Sequence, residues 1–263
     1  MLGSSFGRLN WEITLVSIIM QQLTFSIENW SAWAPGLSNQ AAWQQWAEGA
    51  TEIPVTENQP DLAWLPARQR RRLSLQAKMA LAVAHECLEK TEVSSVRTVF
   101  ASRHGEAQRM QHMLQQLAVN EPLSPTEFGL SVHNSTAGWY GVLFNDNAAT
   151  TALAAGKDTF PCSLIEAVSQ LSTPGVNRVL LVFTHMPLPD FYQAFQDESS
   201  SYFSLGLILS QQAGRPVQLS YQKAGSQQKQ LISPALAFIR LLLSENQQLQ
   251  VTTDRMVWQY EHL

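Results

Sequence analysis

The sequence predicts an α/β fold, a mixed sheet with flanking helices, from three observations. Stretches of strand character alternate with stretches of helical period along most of the 263 residues. One of them, Val179 to Phe183, is apolar at every position, as a strand buried on both faces of a sheet must be. Charged residues make up 14% of the chain and hydrophobic ones 45%, so much of its surface is expected to be covered, by a deep core or by a partner.

The elements follow in order. Ile13 to Met20 is apolar but too short to span a bilayer and lacks the basic start and small-residue cleavage site of a secretion signal; residues 1–19 are expected to form an N-terminal extension, and residues 20–263 one domain. Leu23 to Ile27 alternates like a short strand. Gln40 to Glu48 has helical spacing that puts Trp43 and Trp46 on one face, where they are expected to pack a lid or an interface. Pro54, Pro60 and Pro66 punctuate residues 51–66, which predicts irregular chain.

Leu73 to Glu89 reads as a long helix with Leu75, Met79, Val83 and Leu88 on its apolar face, and with Ala80 and Ala84 for close approach. Val96 to Ala101 is a buried strand, after which Ser102 to Glu106 turns into a helix reaching about Ala118. Leu130 to Val132 is expected to start a strand, Ala137 to Phe144 to be helical, Thr150 to Ala155 strand and Phe160 to Leu171 helix. Phe203 to Leu209 and Val217 to Tyr221 are further strands, and Pro234 to Ser244 a last helix.

A net charge of −4 argues against binding nucleic acid through its backbone charge. Cys87 and Cys162 lack CxxC spacing, so a reducing cytoplasm is the expected location, without membrane insertion. No motif calls for a metal or cofactor: Gly3 to Gly7 matches GxSxG with no strand before it, and Gly156-Lys157 lacks the rest of a phosphate-binding loop. Four arginines, Arg68, Arg70, Arg71 and Arg72, crowd five positions at what reads as a helix N-terminus, where cations are unfavourable. They form a candidate patch for an acidic partner; a solvated helix start explains them equally well.

Several segments in series resemble the short β-ketoacyl synthase-like N-terminal-domain family, including the chain-length factors of aryl polyene pathways. They are Phe25 to Gly36, Arg70 to Ser74, Phe100 to Glu106, Leu123 to Phe128, Ser131 to Asn134 with Ala137-Gly138, and Ala155 to Asp158 with Leu164 to Ala167. The resemblance implies half of a thiolase-like fold. It places Lys157 in the slot where a ketosynthase carries its nucleophilic cysteine, and past Lys157 the only histidines are His185 and His262, neither in the Gly-rich context of the family's catalytic pair.

Decarboxylative condensation needs a thiolate to hold the acyl chain and donors to stabilise an enolate. A lysine in the slot serves as acyl acceptor only with a strongly depressed pKa, so Lys157 is expected instead to be ion-paired, with Asp158 or Glu166. Cys162 is expected to be a packed thiol. His104 and Glu106, opening a helix after a buried strand, have a geometry suited to an anion.

The resemblance implies that the loop Leu123 to Leu130 reaches into a neighbour's acyl tunnel with Phe128 as its wall. It also sets Pro125, Thr126, His133 and Asn134 at the interface, with His133 on a strand near the dimer seam. The expected function is a non-catalytic chain-length factor that pairs with a full-length ketosynthase, with an acyl carrier protein as a further partner. The alternatives are an acyl hydrolase or transferase using His104, Cys162 or Lys157, and a structural homodimer.

Overall fold

The structure, a computed structural model, describes residues 21–56, 58–91, 93, 95–197, 201–225 and 232–263. The predicted N-terminal extension and the Gly3 to Gly7 motif lie outside these residues. The elements are β1 (Gln21–Trp33), α1 (Gln40–Ala47), α2 (Ala67–Arg70), α3 (Leu75–Glu89), β2 (Arg97–Ala101), α4 (Ala107–Ala118), α5 (Pro125–Leu130), α6 (Ser135–Phe144), β3 (Thr150–Leu153), α7 (Thr159–Leu171), β4 (Arg178–His185), β5 (Phe203–Ser210), β6 (Arg215–Lys223), α8 (Pro234–Leu243), β7 (Gln248–Thr252) and β8 (Met256–His262).

All eight strands form one mixed sheet in the order β3-β2-β4-β5-β1-β6-β8-β7. β3, β2 and β4 run parallel, and the remaining pairs are antiparallel. The predicted short strand at Leu23 to Ile27 is the start of the much longer β1, which continues to Trp33 past a bulge between Ile27 and Asn29. The bulge aims Glu28 at Arg178, whose guanidinium donates twice to its carboxylate at 2.6 and 2.8 Å.

Alternation along the central strands divides the core in two. Val99, Val179, Leu181, Leu205 and Leu207 face α7, α8 and α1, while Phe100, Leu180, Val182 and Ile208 face α3 and α6. On the second side Ser74 caps α3 by accepting the Ala77 N–H at 3.1 Å. The alanine-rich face of α3 lies so close to β5 that a Cβ on Gly206 would meet Cys87 Sγ and the Val83 carbonyl oxygen at 3.0 Å each. Burial pushes the Cys87 thiol up to about 12, so it is inert packing.

On the first side Phe160, Leu164, Ala167, Val168 and Leu171 recur at helical spacing along α7 and are all buried. The last thirty residues complete this side. α8 packs beside α7 and α1, and β8 turns Trp258 and Tyr260 inward, Tyr260 meeting Phe238 edge-on at 5.1 Å. The hairpin β7–β8 is absent from the predicted elements, although Trp258, Tyr260 and His262 are the buried phase of a period-two pattern.

Candidate functional site

The turn into α7 holds the slot that the resemblance assigns to a nucleophile. After β3 the chain passes through Gly156 in the left-handed region (φ +63°) and makes one 3-10 turn, Gly156–Asp158, that runs directly into the helix. Thr159 fastens this turn: its hydroxyl donates to the Gly156 carbonyl at 2.6 Å and accepts the Ala155 N–H at 2.9 Å. Asp158 is buried and points toward the C-terminal hairpin. It accepts from the Thr253 hydroxyl at 2.6 Å, the Trp258 indole N–H at 2.9 Å and the Arg255 guanidinium at 3.1 and 3.2 Å.

Lys157 is ion-paired, but not with the expected Asp158 or Glu166. Its Nζ lies 2.8 Å from Asp254 and 3.2 Å from Asp197. Asp158 is taken up by the hairpin, and Glu166 accepts from Gln170 at 2.8 Å and from Thr151 at 3.2 Å. The hydrogen bond to Asp254, and after it the one to Asp197, hold the lysine above its ordinary range against an opposing effect of burial. Asp197 also receives Arg103 at 2.7 Å, and mainly for that reason its carboxyl is lowered to about 2. Cys162 is half-buried one turn further on, its thiol raised by burial and then by Asp158. Both shifts run against nucleophilic use.

Beside this cluster a cavity of about 660 Å³ opens between the start of α4, the turn 131–133 and residues 188–195. Met110, Val132, Leu188, Tyr192 and Phe195 make it largely apolar, and Arg103 joins its wall to the Lys157 cluster. His104 on the same wall is lowered to about 4, by burial first and then by Arg103 and His185, so its imidazole is neutral at pH 7.

Glu106 is the N-cap residue of α4, but its side chain makes no capping hydrogen bond and is held by Ser74 instead. Burial raises its carboxyl despite a 2.6 Å hydrogen bond from Ser74 and the nearby Arg109.

His133 is not on a strand. Ser124 caps a short helix, α5, with Pro125 at its first position, and the chain bends through 131–134 into α6. The expected strand start at Leu130 to Val132 is thus the end of α5 and a bend. In the turn, His133 Nε2 lies 2.8 Å from the Ser102 carbonyl oxygen, fixing the ring against the backbone at Gly105.

Pro125, Thr126 and Asn134 are exposed, and Phe128 is 63% exposed. Met110, Leu114, Leu117, Val119, Val132 and Val142 are also open to solvent, so α4, α5, α6 and the turns beside them each leave large apolar side chains exposed.

The arginine cluster lies on α2 and the turn after it, at the C-terminal end of a short helix rather than the N-terminus of a long one. Arg70 donates to the Leu62 carbonyl at 3.3 Å, and Arg72 lies over the Trp139 ring at 5.4 Å. Arg68, Arg71 and Arg72 are exposed, and Arg70 is intermediate. Among the described residues no group of three or more His, Cys, Asp or Glu could hold a metal ion, and no helix is long and apolar enough to cross a membrane.

A half-thiolase sheet with a turn-and-helix after its outer parallel strand is the architecture of the ketosynthases. The family described as "Beta-ketoacyl synthase, N-terminal domain" matches residues 43–261, and the chain belongs to it.

In structure it resembles a chain of the ketosynthase (ApeO) in complex with its chain length factor (ApeC) from Xenorhabdus doucetiae. The TM-score is 0.80 at 32% identity, over 91% of this chain and 99% of that one. Two further likenesses concern the fold alone. The ishigamide ketosynthase/chain length factor gives a TM-score of 0.60 at 14% identity, over 76% of this chain and 67% of that one. A type II acyl-carrier protein–ketosynthase complex, AntDE:AntF, gives 0.60 at 10% identity, over 73% and 64%. Among curated protein sequences none matches this chain.

Proposed function

We propose that this chain is a non-catalytic chain-length factor that pairs with a full-length ketosynthase and shapes the acyl tunnel of a type II polyketide system, one making aryl polyenes. The observation that carries this reading is the set of apolar side chains left exposed on and around α4, α5 and α6, Phe128 and Val142 at 63% and 72%, two of which, Met110 and Val132, also line the cavity. Surfaces of this composition mark protein interfaces. The partner is argued from the likeness to the ketosynthase–chain length factor complex.

In this reading β3, the outermost strand of the sheet, continues the sheet into the partner, and Pro125, Thr126, Phe128, His133 and Asn134 lie at the shared tunnel and interface. Lys157 supports the non-catalytic part. An ammonium held between two carboxylates is a poor acyl acceptor, because the free amine it must become is disfavoured. The carrier protein is a further partner, met by Arg68 and Arg71.

The test is co-expression with a full-length ketosynthase from the same source, followed by sizing and intact-mass measurement. A one-to-one complex in which only the ketosynthase becomes acylated, and in which elongation needs both chains, is the expected result. A homodimer that itself takes up an acyl group overturns the proposal.

A further inference from the structure

Four polar side chains run in series from the buried helix α3 to the exposed helix α5. Ser74, the cap of α3, donates to Glu106 at 2.6 Å. Glu106, buried at the start of α4, lies 3.7 Å from Arg109 one turn along. Arg109 in turn is ion-paired to Glu127, the residue before Phe128. The guanidinium is largely buried, with 15% of the side chain accessible, and it bridges two carboxylates on different helices. Its Nη1 donates to Glu127, whereas its Nε–H has no hydrogen-bond acceptor within range, so the group is seated on Glu127 and faces Glu106 without bonding to it.

α5 has one further anchor, the turn after it, where Ser131 is buried and His133 is held against the Ser102 carbonyl oxygen at 2.8 Å. The helix itself is six residues long, none of them buried. Its other ties are local: the Ser124 cap, and the Ser131 hydroxyl donating to the Phe128 carbonyl at 2.8 Å. Those bonds set the helix's own shape but not its distance from the sheet. Arg109 joins α5 to α4, and through Glu106 and Ser74 to a helix packed on the central strands.

We propose that Arg109 is a positioning residue that sets how far Phe128 projects, and thereby the length of chain the complex builds. The inference rests on the chain-length-factor reading. A planar guanidinium suits the role because it can face two carboxylates at once, whereas an ammonium is a point charge that sits on one. Glu127 is the other half of the device.

The experiment uses the one-to-one complex with the ketosynthase, supplied with aryl-acyl-loaded and malonyl-loaded carrier protein and with a ketoreductase, NADPH and a dehydratase, which turn each β-keto group into a double bond. Mass spectrometry counts the malonyl units added. Wild type is compared with Arg109→Met, Arg109→Lys, Glu127→Gln and Phe128→Ala, each checked by sizing for an intact complex. Glu127→Gln alters a partly exposed side chain, so it remains informative if loss of the buried cation disturbs folding.

The expected result is that Arg109→Met and Glu127→Gln shift the most abundant product by at least one malonyl unit in the same direction as Phe128→Ala, at a similar rate of malonyl consumption. Arg109→Lys falls between them and wild type. A shift with Phe128→Ala alone, the other variants keeping the wild-type distribution, overturns the inference and leaves the tunnel reading intact. No complex, or no elongation by the wild-type pair, removes the reading on which it rests.

Discussion

Lys157 and Asp254 meet at 2.8 Å across the start of α7, the lysine on its leading turn and the aspartate at the tip of the C-terminal hairpin. The contact lies where the family resemblance expects a nucleophile, and it raises the lysine's pKa where catalysis would need it lowered. The isolated chain, incubated with an acyl thioester at neutral pH, is expected to show no adduct on Lys157 by intact mass and peptide mapping. Because Asp254 is 67% exposed, Lys157→Met should cost about 1 kcal/mol or less in denaturant unfolding. Stoichiometric acylation of Lys157 would reverse the assignment.

The two perturbed groups beside the cavity predict separate acid responses. His104 titrates near 4 in the folded chain against 6.5 unfolded, so the unfolded chain takes up the proton first and stability falls as pH drops from about 6.5 toward 4. Between pH 7 and 5, His104→Gln should lose about 1–2 kcal/mol less than wild type. Asp197 is depressed to about 2 from an ordinary 3.8, so its contribution is full above about pH 4 and fades as pH falls to 2. The difference between wild type and Asp197→Asn should therefore stay flat from pH 5 to 8. A slope in that window shows that Asp197 is not the group held by Arg103.

Asp158 should matter far more to stability than its neighbour Lys157. Removing its carboxylate takes the acceptor from the buried Trp258 indole N–H and from the Thr253 hydroxyl. Asp158→Ala is expected to cost about 2–4 kcal/mol, and Asp158→Asn, which keeps an acceptor, clearly less. Equal, small losses in urea unfolding would mean the hairpin docks without this contact.

The arginine cluster divides into two structural and two free-standing members, which gives a discriminating pair of variants. Arg68→Glu with Arg71→Glu changes exposed charge only and should raise the complex's KM for carrier protein about tenfold with kcat nearly unchanged, the effect shrinking in high salt. Arg72→Gln instead removes a contact over Trp139 and should lower stability. An unaltered KM in the double variant assigns carrier docking to the ketosynthase.

The elements with an unbroken apolar period were readable from sequence: β4, α3, α7 and α8 all lie close to where their patterns put them. α5 was missed although Ser124, Pro125 and Glu127 form a capping signal, because a six-residue helix with no buried face has no hydrophobic period. β7 and β8 were missed because β7 is five residues with only Leu249 and Val251 apolar, and the alternation of β8 is blurred by Val257 at an outward position and His262 at an inward one. The partners of Lys157 were out of reach for a different reason. Asp197 comes to it from the connection between β4 and β5 and Asp254 from the closing hairpin, both distant in sequence, and the nearer Asp158 and Glu166 were already engaged.

The apolar dress of α6 carries a thermodynamic consequence. A helix whose sequence runs Trp139, Tyr140, Gly141, Val142, Leu143, Phe144 yet leaves Val142 72% exposed gains free energy whenever a second surface covers it. Any ligand that binds only the folded form raises apparent stability with its concentration, by mass action. In the proposed complex the melting temperature of this chain rises as the ketosynthase is added and falls on dilution.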